Sequence, residues 1–206
     1  MDIDAEMLRW SQTVYGIAHS LHLAHSVNLG NLTTLHASLS AAEKWNKSNL
    51  GFESVLPRKE FKEGSINLDG RDHEEVFKVL SENAVKLLFM NLTVLADECL
   101  SHLILQAGVE PPNYLTGKAE WVKSKIAKKY EWAANGLLEI CAIRNAIVHN
   151  SSKINSSVMQ ILDKAGITTA QIDHEIQLSF GDLFRYRRAL RTVLGEIQKL
   201  NVVPFS

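Results

Sequence analysis

Proline is the residue a helix interior tolerates least, because it lacks an N–H and its ring collides with the preceding turn. This chain of 206 residues carries four, at positions 57, 111, 112 and 204, so the long stretches between them are free to be helical. Residues 4–27 and 33–48 read as two helices separated by the turn-prone Asn28-Leu29-Gly30-Asn31, the second with an N-cap near Thr33 or Thr34. Residues 49–70 hold Gly51, Pro57, Gly64, Asp69 and Gly70 and no sustained period, which predicts a connector, briefly extended around Ser65-Ile66-Asn67-Leu68. Val76, Leu80, Leu87, Leu88, Val94, Leu95, Leu100, Leu103 and Ile104 then recur at helical spacing. They predict a long helix over about 72–106, capped by Asp72 and ended by Gly108 and Pro111-Pro112. Further helices are expected over 116–130, 132–150, 156–164 and 181–200, with an irregular or briefly extended stretch through Ile176-Gln177-Leu178. The predicted class is all-α: an N-terminal helical pair and connector over 1–70, followed by a four-helix bundle over 71–206.

The apolar fraction of 46% and charged fraction of 22% are those of an ordinary globular protein. A net charge of −1 supplies no global attraction for nucleic acid, so any such contact must come from local patches. Cys99 and Cys141 each sit in an apolar helical pattern and read as buried thiols of a reducing compartment. The acidic N-terminus shows no secretory signal. The apolar run Ala84–Ala96 is broken by Lys86 and Asn91, short of what a membrane span needs. The expectation is a cytoplasmic protein with no membrane partner, in which the Asn-x-Ser/Thr triplets at Asn31, Asn91 and Asn150 are chance matches.

Within the predicted helix 132–150, the apolar stretch Gly136–Ile143 runs directly into Arg144-Asn145-Ala146-Ile147-Val148-His149, followed by Asn150-Ser151-Ser152. A guanidinium in an apolar helix is costly unless it is paired or opens onto a cleft. Asn145 and His149 are four residues apart and share a helix face, and the long Arg144 side chain can swing toward it. Arginine offers a planar fork suited to phosphate oxygens, and imidazole is the side chain type that exchanges protons near neutral pH. These are parts of a metal-free phosphodiester-cleaving site. One imidazole per chain is thin for a reaction needing both a base and an acid, and a homodimer would bring two.

An all-α unit with a long first helix, and an Arg-polar-x-x-x-His element closing a later apolar helix, resembles the HEPN superfamily (higher eukaryotes and prokaryotes nucleotide-binding fold). Arg144, Asn145 and His149 match its signature of Arg, four to six residues and His, and the resemblance covers about residues 72–200. The flavour is similar to the ribonuclease-type members of bacterial toxin and phage-defence systems. The resemblance implies metal-independent RNA cleavage at a composite homodimer site, giving a 2′,3′-cyclic phosphate, with no cofactor and an antitoxin or regulatory protein as partner. By the same carry-over His149 is the general base or acid, Arg144 stabilises charge on the phosphorane and Asn145 assists. Glu98 or Asp97 would be the acidic group that the long first helix of such proteins often contributes. Other members of the superfamily keep the fold and bind nucleotide, RNA or a partner protein without cleaving, which is the alternative.

Blander readings stand beside these. Arg144 could pair with a buried acid such as Glu139 or Glu98, leaving His149 alone at a helix end. Lys118, Lys123, Lys125, Lys128 and Lys129 form either a solvated face or an RNA-tracking patch, with Trp121, Tyr130 and Trp132 available for stacking. Arg185, Arg187, Arg188 and Arg191, with Phe184 and Tyr186 on the same helix, read as a salt-bridged face, with RNA contact as the lesser alternative. His19, His22 and His25, with His36 nearby, lack a closed ligand set, so no metal site is expected. Asp69, Asp72, His73, Glu74 and Glu75 read as helix-start chemistry.

Overall fold

A computed structural model of the chain describes residues 2–26 and 73–202. The expected helix 33–48, the connector 49–70 and the Asp72 cap lie outside the described residues. Six α-helices occur among those described: α1 (Ile3–Ser26), α2 (His73–Gln106), α3 (Leu115–Lys125), α4 (Glu131–His149), α5 (Ser156–Lys164) and α6 (Phe180–Val202). A 3-10 turn, Lys128–Tyr130, precedes α4, and an isolated antiparallel bridge pairs Lys153 with Glu175. The protein is all-α.

Local chemistry explains most of the boundaries. The Asp2 carboxylate accepts from the Ala5 N–H, and the Asn155 side chain accepts from the Val158 N–H, so each caps the first turn of its helix. At the start of α6 the Asp182 N–H donates to Ser179 Oγ while the Ser179 N–H donates to Asp182 Oδ2, a reciprocal capping box. The long α2 stops at Gly108, whose φ of 74° is left-handed. There the Val109 N–H reaches the Ile104 carbonyl and the Gly108 N–H the Leu105 carbonyl, the pair of bonds that closes a helix on a glycine.

One expected helix divides. Beyond Gly117 in its first turn the lysine-rich stretch 116–130 contains no breaker, yet α3 ends at Lys125 because Ile126 turns extended (φ −76°, ψ 143°). Ile126 packs against the core in that extended conformation.

Residues 1–18 and 81–206 form one compact unit, and residues 19–80 a second, of which only the ends 19–26 and 73–80 are described. The first unit is built around α4, which packs against α3, α5 and α6. Its Ala133, Ala134, Leu137, Leu138, Ile140, Cys141, Ala142, Ile143 and Ala146 are all buried. The residues Ile3, Met7, Trp10 and Val14 of α1 repeat at helical spacing and join the same core, and the Trp10 indole N–H donates to the Leu88 carbonyl at 3.4 Å. The sequence groups α1 with the N-terminal 70 residues; this apolar stripe instead places its first four turns with the C-terminal helices. Phe89 of α2 meets Tyr186 of α6 edge-on at 5.6 Å, and Tyr15 of α1 lies 4.9 Å from Phe184.

Two details fix α6 on α4. Arg185 donates both guanidinium arms to the Glu139 carboxylate, at 2.8 and 2.9 Å, and the buried Tyr186 hydroxyl donates to the same group at 2.7 Å. One turn earlier, Gly136 lets α6 approach so closely that a Cβ there would lie 2.8 Å from Ala189 Cβ. The stretch Lys78–Gln106 within α2 has a mean hydropathy of 1.4 over its most apolar window and is long and apolar enough, by composition alone, to cross a membrane. The interruptions at Lys86 and Asn91 therefore weaken that signal less than the sequence reading assumes. In the fold 56% of this window is buried inside the protein.

Candidate active site

A cleft of about 910 Å³ opens on the first unit. Its walls come from α2 (Asp97, Glu98), the loop after it (Asn113, Tyr114), α3 (Thr116, Gly117) and α4 (Cys141, Arg144, Asn145, His149), with Asn150 and Asn155 at the end. The structure thus gathers Arg144, Asn145 and His149 into one concavity, with Asp97 and Glu98 across it.

The arrangement follows from helix geometry. Arg144 and Asn145 are half-buried on α4, and Cys141 lies one turn before them, so the three share the side of the helix that lines the cleft. Arg144 Nη1 donates to Asn145 Oδ1 at 3.2 Å, which leaves the Asn145 amide N–H groups as donors. No carboxylate pairs with Arg144 among the described residues. Glu139, an obvious competitor in sequence, is engaged by Arg185 and Tyr186 instead. The guanidinium therefore stands in the cleft with its fork available for an anion.

His149 is exposed and is the last residue of α4. The helix stops there by a backbone device: Ser151 (φ 50°) and Ser152 (φ 65°) are both left-handed, a conformation that costs a residue with a Cβ of the order of 1 kcal/mol or more. The strain is held in place by hydrogen bonds. The Ala146 carbonyl accepts from both the Asn150 and Ser152 N–H groups, and the Ser152 carbonyl accepts from Ile176 N–H at 2.7 Å.

Across the cleft Asp97 is not free. Lys118 is buried, and its ammonium donates to Asp97 Oδ1 at 2.7 Å. Glu98 is exposed and has no ion pair among the described residues, so it is the acid on this wall with its charge uncommitted. The Cys141 thiol on the inner wall is held in its neutral form: burial pushes it up to about 12, against the opposing pull of a Thr116 hydrogen bond and the nearby Arg144 charge. A thiol so protonated is no nucleophile at neutral pH.

The lysine-patch expectation needs correction. Lys118 is turned inward and neutralised by Asp97, so it cannot track a phosphate backbone. The reason is periodic: Lys118 lies one turn before Val122 on the face that α3 buries. Lys123 donates to the Lys164 backbone carbonyl at 2.6 Å, and Trp121 packs against the core. Lys125, Lys128 and Lys129 are exposed. Of the arginines on α6, Arg185 is salt-bridged as expected, while Arg187, Arg188 and Arg191 form no ion pair among the described residues. No three His, Cys, Asp or Glu side chains converge among the described residues, and His25 and His36 fall outside the described side chains.

Sequence reasoning passed over Asn113, Tyr114 and Asn155. Tyr114 is 79% exposed at the cleft wall, and its signal is an aromatic set in the Pro-Pro-Asn-Tyr loop, where packing has no use for it. Comparison with known proteins adds no relative: no family model, curated protein or solved structure matches the chain.

Proposed function

We propose that this protein is a HEPN-type endoribonuclease that cleaves RNA without a metal ion, as a homodimer in the cytoplasm, with a toxin or defence role restrained by a partner protein. The observation that carries the reading is Arg144, half-buried, without a carboxylate partner among the described residues, in one cleft with His149 and Asn145. Such a cleft suits a phosphodiester. In the reaction the substrate 2′-oxygen attacks the adjacent phosphorus as its proton passes to an imidazole. The bond to the 5′-oxygen breaks as that oxygen takes up a proton, leaving a 2′,3′-cyclic phosphate and a 5′-hydroxyl. Arg144 and the Asn145 amide oppose the charge that builds on the non-bridging oxygens.

One imidazole per cleft is the reason to invoke two chains. Apolar surface beside the cleft suits a second copy: Val148 next to His149 is 45% exposed, and Val94 on the cleft wall is 54% exposed. The same shortage favours a second reading, in which the cleft binds nucleotide or RNA and does not cut it. Purified protein incubated with structured and single-stranded RNA in EDTA separates the two. Cleavage that disappears in His149→Ala and Arg144→Ala, with the fold intact by circular dichroism, supports the enzyme. Cleavage that survives both substitutions refutes it, and binding without cleavage by the parent protein establishes the second reading.

A further inference from the structure

The far end of α4 presents a different chemistry. Trp132, in its first turn, is 47% exposed, too much for a core residue. The Arg188 guanidinium of α6 lies 5.7 Å from its ring centroid, a cation over an aromatic face. Arg191, three residues further along α6, shares that side of the helix and is exposed. Directly before α4, the 3-10 turn exposes Lys128 and Lys129, the latter 4.8 Å from the Tyr130 ring. The turn runs straight into α4, whose Trp132 meets Arg188, so the turn and α6 border one surface. Lys128, Lys129, Arg188 and Arg191 have no ion pair among the described residues, whereas Arg185 and Lys199 on the same helix are both paired. The acids nearby are the exposed Glu131 and, further along α6, Glu196, whose carboxylate is taken by Lys199.

Unpaired cations interleaved with a half-exposed indole and a phenol are what a single strand of nucleic acid requires. The cations follow its phosphates, and the rings accept its bases irrespective of sequence. We propose that Lys128, Lys129, Trp132, Arg188 and Arg191 form a binding surface for single-stranded RNA, separate from the cleft. The surface rests on the reading of the cleft as a ribonuclease site only in its purpose, which is to hold the strand whose scissile phosphate lies at Arg144.

Spacing turns this into a length rule. Trp132 and His149 are the second and last residues of α4, and seventeen rises of 1.5 Å put them about 25 Å apart along the axis. A stacked strand advances about 3.4 Å per nucleotide, so about seven nucleotides span the distance. Shorter RNAs reach the cleft without touching the surface.

The probe is a fluorescein-labelled 2′-O-methyl U20, which cannot supply the attacking hydroxyl, with binding read by anisotropy across a KCl series. Neutralising Lys128→Gln with Lys129→Gln should reduce the slope of log affinity on log salt by about 1.4, two phosphate contacts at about 0.7 each. Trp132→Leu should weaken binding about tenfold and leave that slope unchanged. The pair Lys78→Gln with Arg9→Gln, exposed cations elsewhere, should shift binding less than twofold. An equal loss in that control pair, an unaltered salt slope in the lysine pair, or equally tight binding of polyaspartate overturns the surface. Cleavage assays keep the two claims apart. If the patch variants slow cutting of U20 and leave U4 untouched, both stand. If RNA is bound as predicted but never cut, the surface stands and the ribonuclease reading fails; if RNA is cut and the variants change nothing, the reverse holds.

Discussion

The Lys118–Asp97 pair lends itself to an asymmetric test, because its two members differ in access to water. The Lys118 side chain is 5% exposed and that of Asp97 42%. Removing the carboxylate with Asp97→Ala strands an ammonium in the interior, and breaking a buried pair in that way costs about 3–5 kcal/mol. Removing the ammonium with Lys118→Met strands a carboxylate that water can reach, while the methionine refills the aliphatic volume of the stem. Its cost should then be near that of one exchanged charge-assisted hydrogen bond, about 1.5 kcal/mol. At an m-value of about 2 kcal/mol/M, the urea midpoint falls by roughly 2 M in the first variant and less than 1 M in the second. Trp10, Trp121 and Trp132 all lie in the unit that holds the pair, so tryptophan fluorescence in a Trp45→Phe background reports on that unit alone. The double variant should be more stable than Asp97→Ala, since the stranded charge is gone. Equal losses in the two single variants, or a larger loss for Lys118→Met, would refute the claim that desolvation of Lys118 sets the energetics of this wall.

The remaining predictions concern α4. The Cys141 thiol, raised to about 12 from an unfolded value near 9.0 by burial, keeps its proton in the fold and releases it on unfolding at alkaline pH. Stability should therefore fall by about 1.4 kcal/mol per pH unit above pH 9 from this group, a slope that Cys141→Ala removes in urea melts at pH 8, 9 and 10; an unchanged slope contradicts it. Gly136→Ala puts a methyl 2.8 Å from Ala189 Cβ and should cost about 1–3 kcal/mol in thermal unfolding, partly restored by adding Ala189→Gly; no rescue would mean that the close approach is not the cause.

Helix positions were the legible part of this chain, because periodicity and breakers act locally. Residues 156–164 are the predicted helix, opened by Asn155 and closed by a left-handed Gly166, both visible as letters. The end of α3 was illegible for the opposite reason: Ile126 leaves the helix to reach the core, a tertiary demand with no local sign. At the site, the shared face of Asn145 and His149 can be read from their spacing. Which acid each cation takes cannot, because Glu139 meets Arg185 across 46 positions of chain. Lys118 lies between these cases. Its spacing from Val122 marks the buried face, but only the fold shows the carboxylate of Asp97 that makes burial of an ammonium tolerable.

The paired left-handed serines after α4 carry a consequence for how this cleft can change. They set where the helix stops, so the location of position 149 is dictated by the turn and is indifferent to the side chain it carries. A carboxylate, thiol or amine substituted there would be delivered to the same mouth, beside the same guanidinium. Altering the loop by one residue would instead disturb the bonds to the Ala146 carbonyl and from the Ile176 N–H, and so move the end of the helix itself. The position is therefore a replaceable fitting on a fixed mount: reactive chemistry can be exchanged by point substitution, whereas loop length cannot drift without moving the cleft's end.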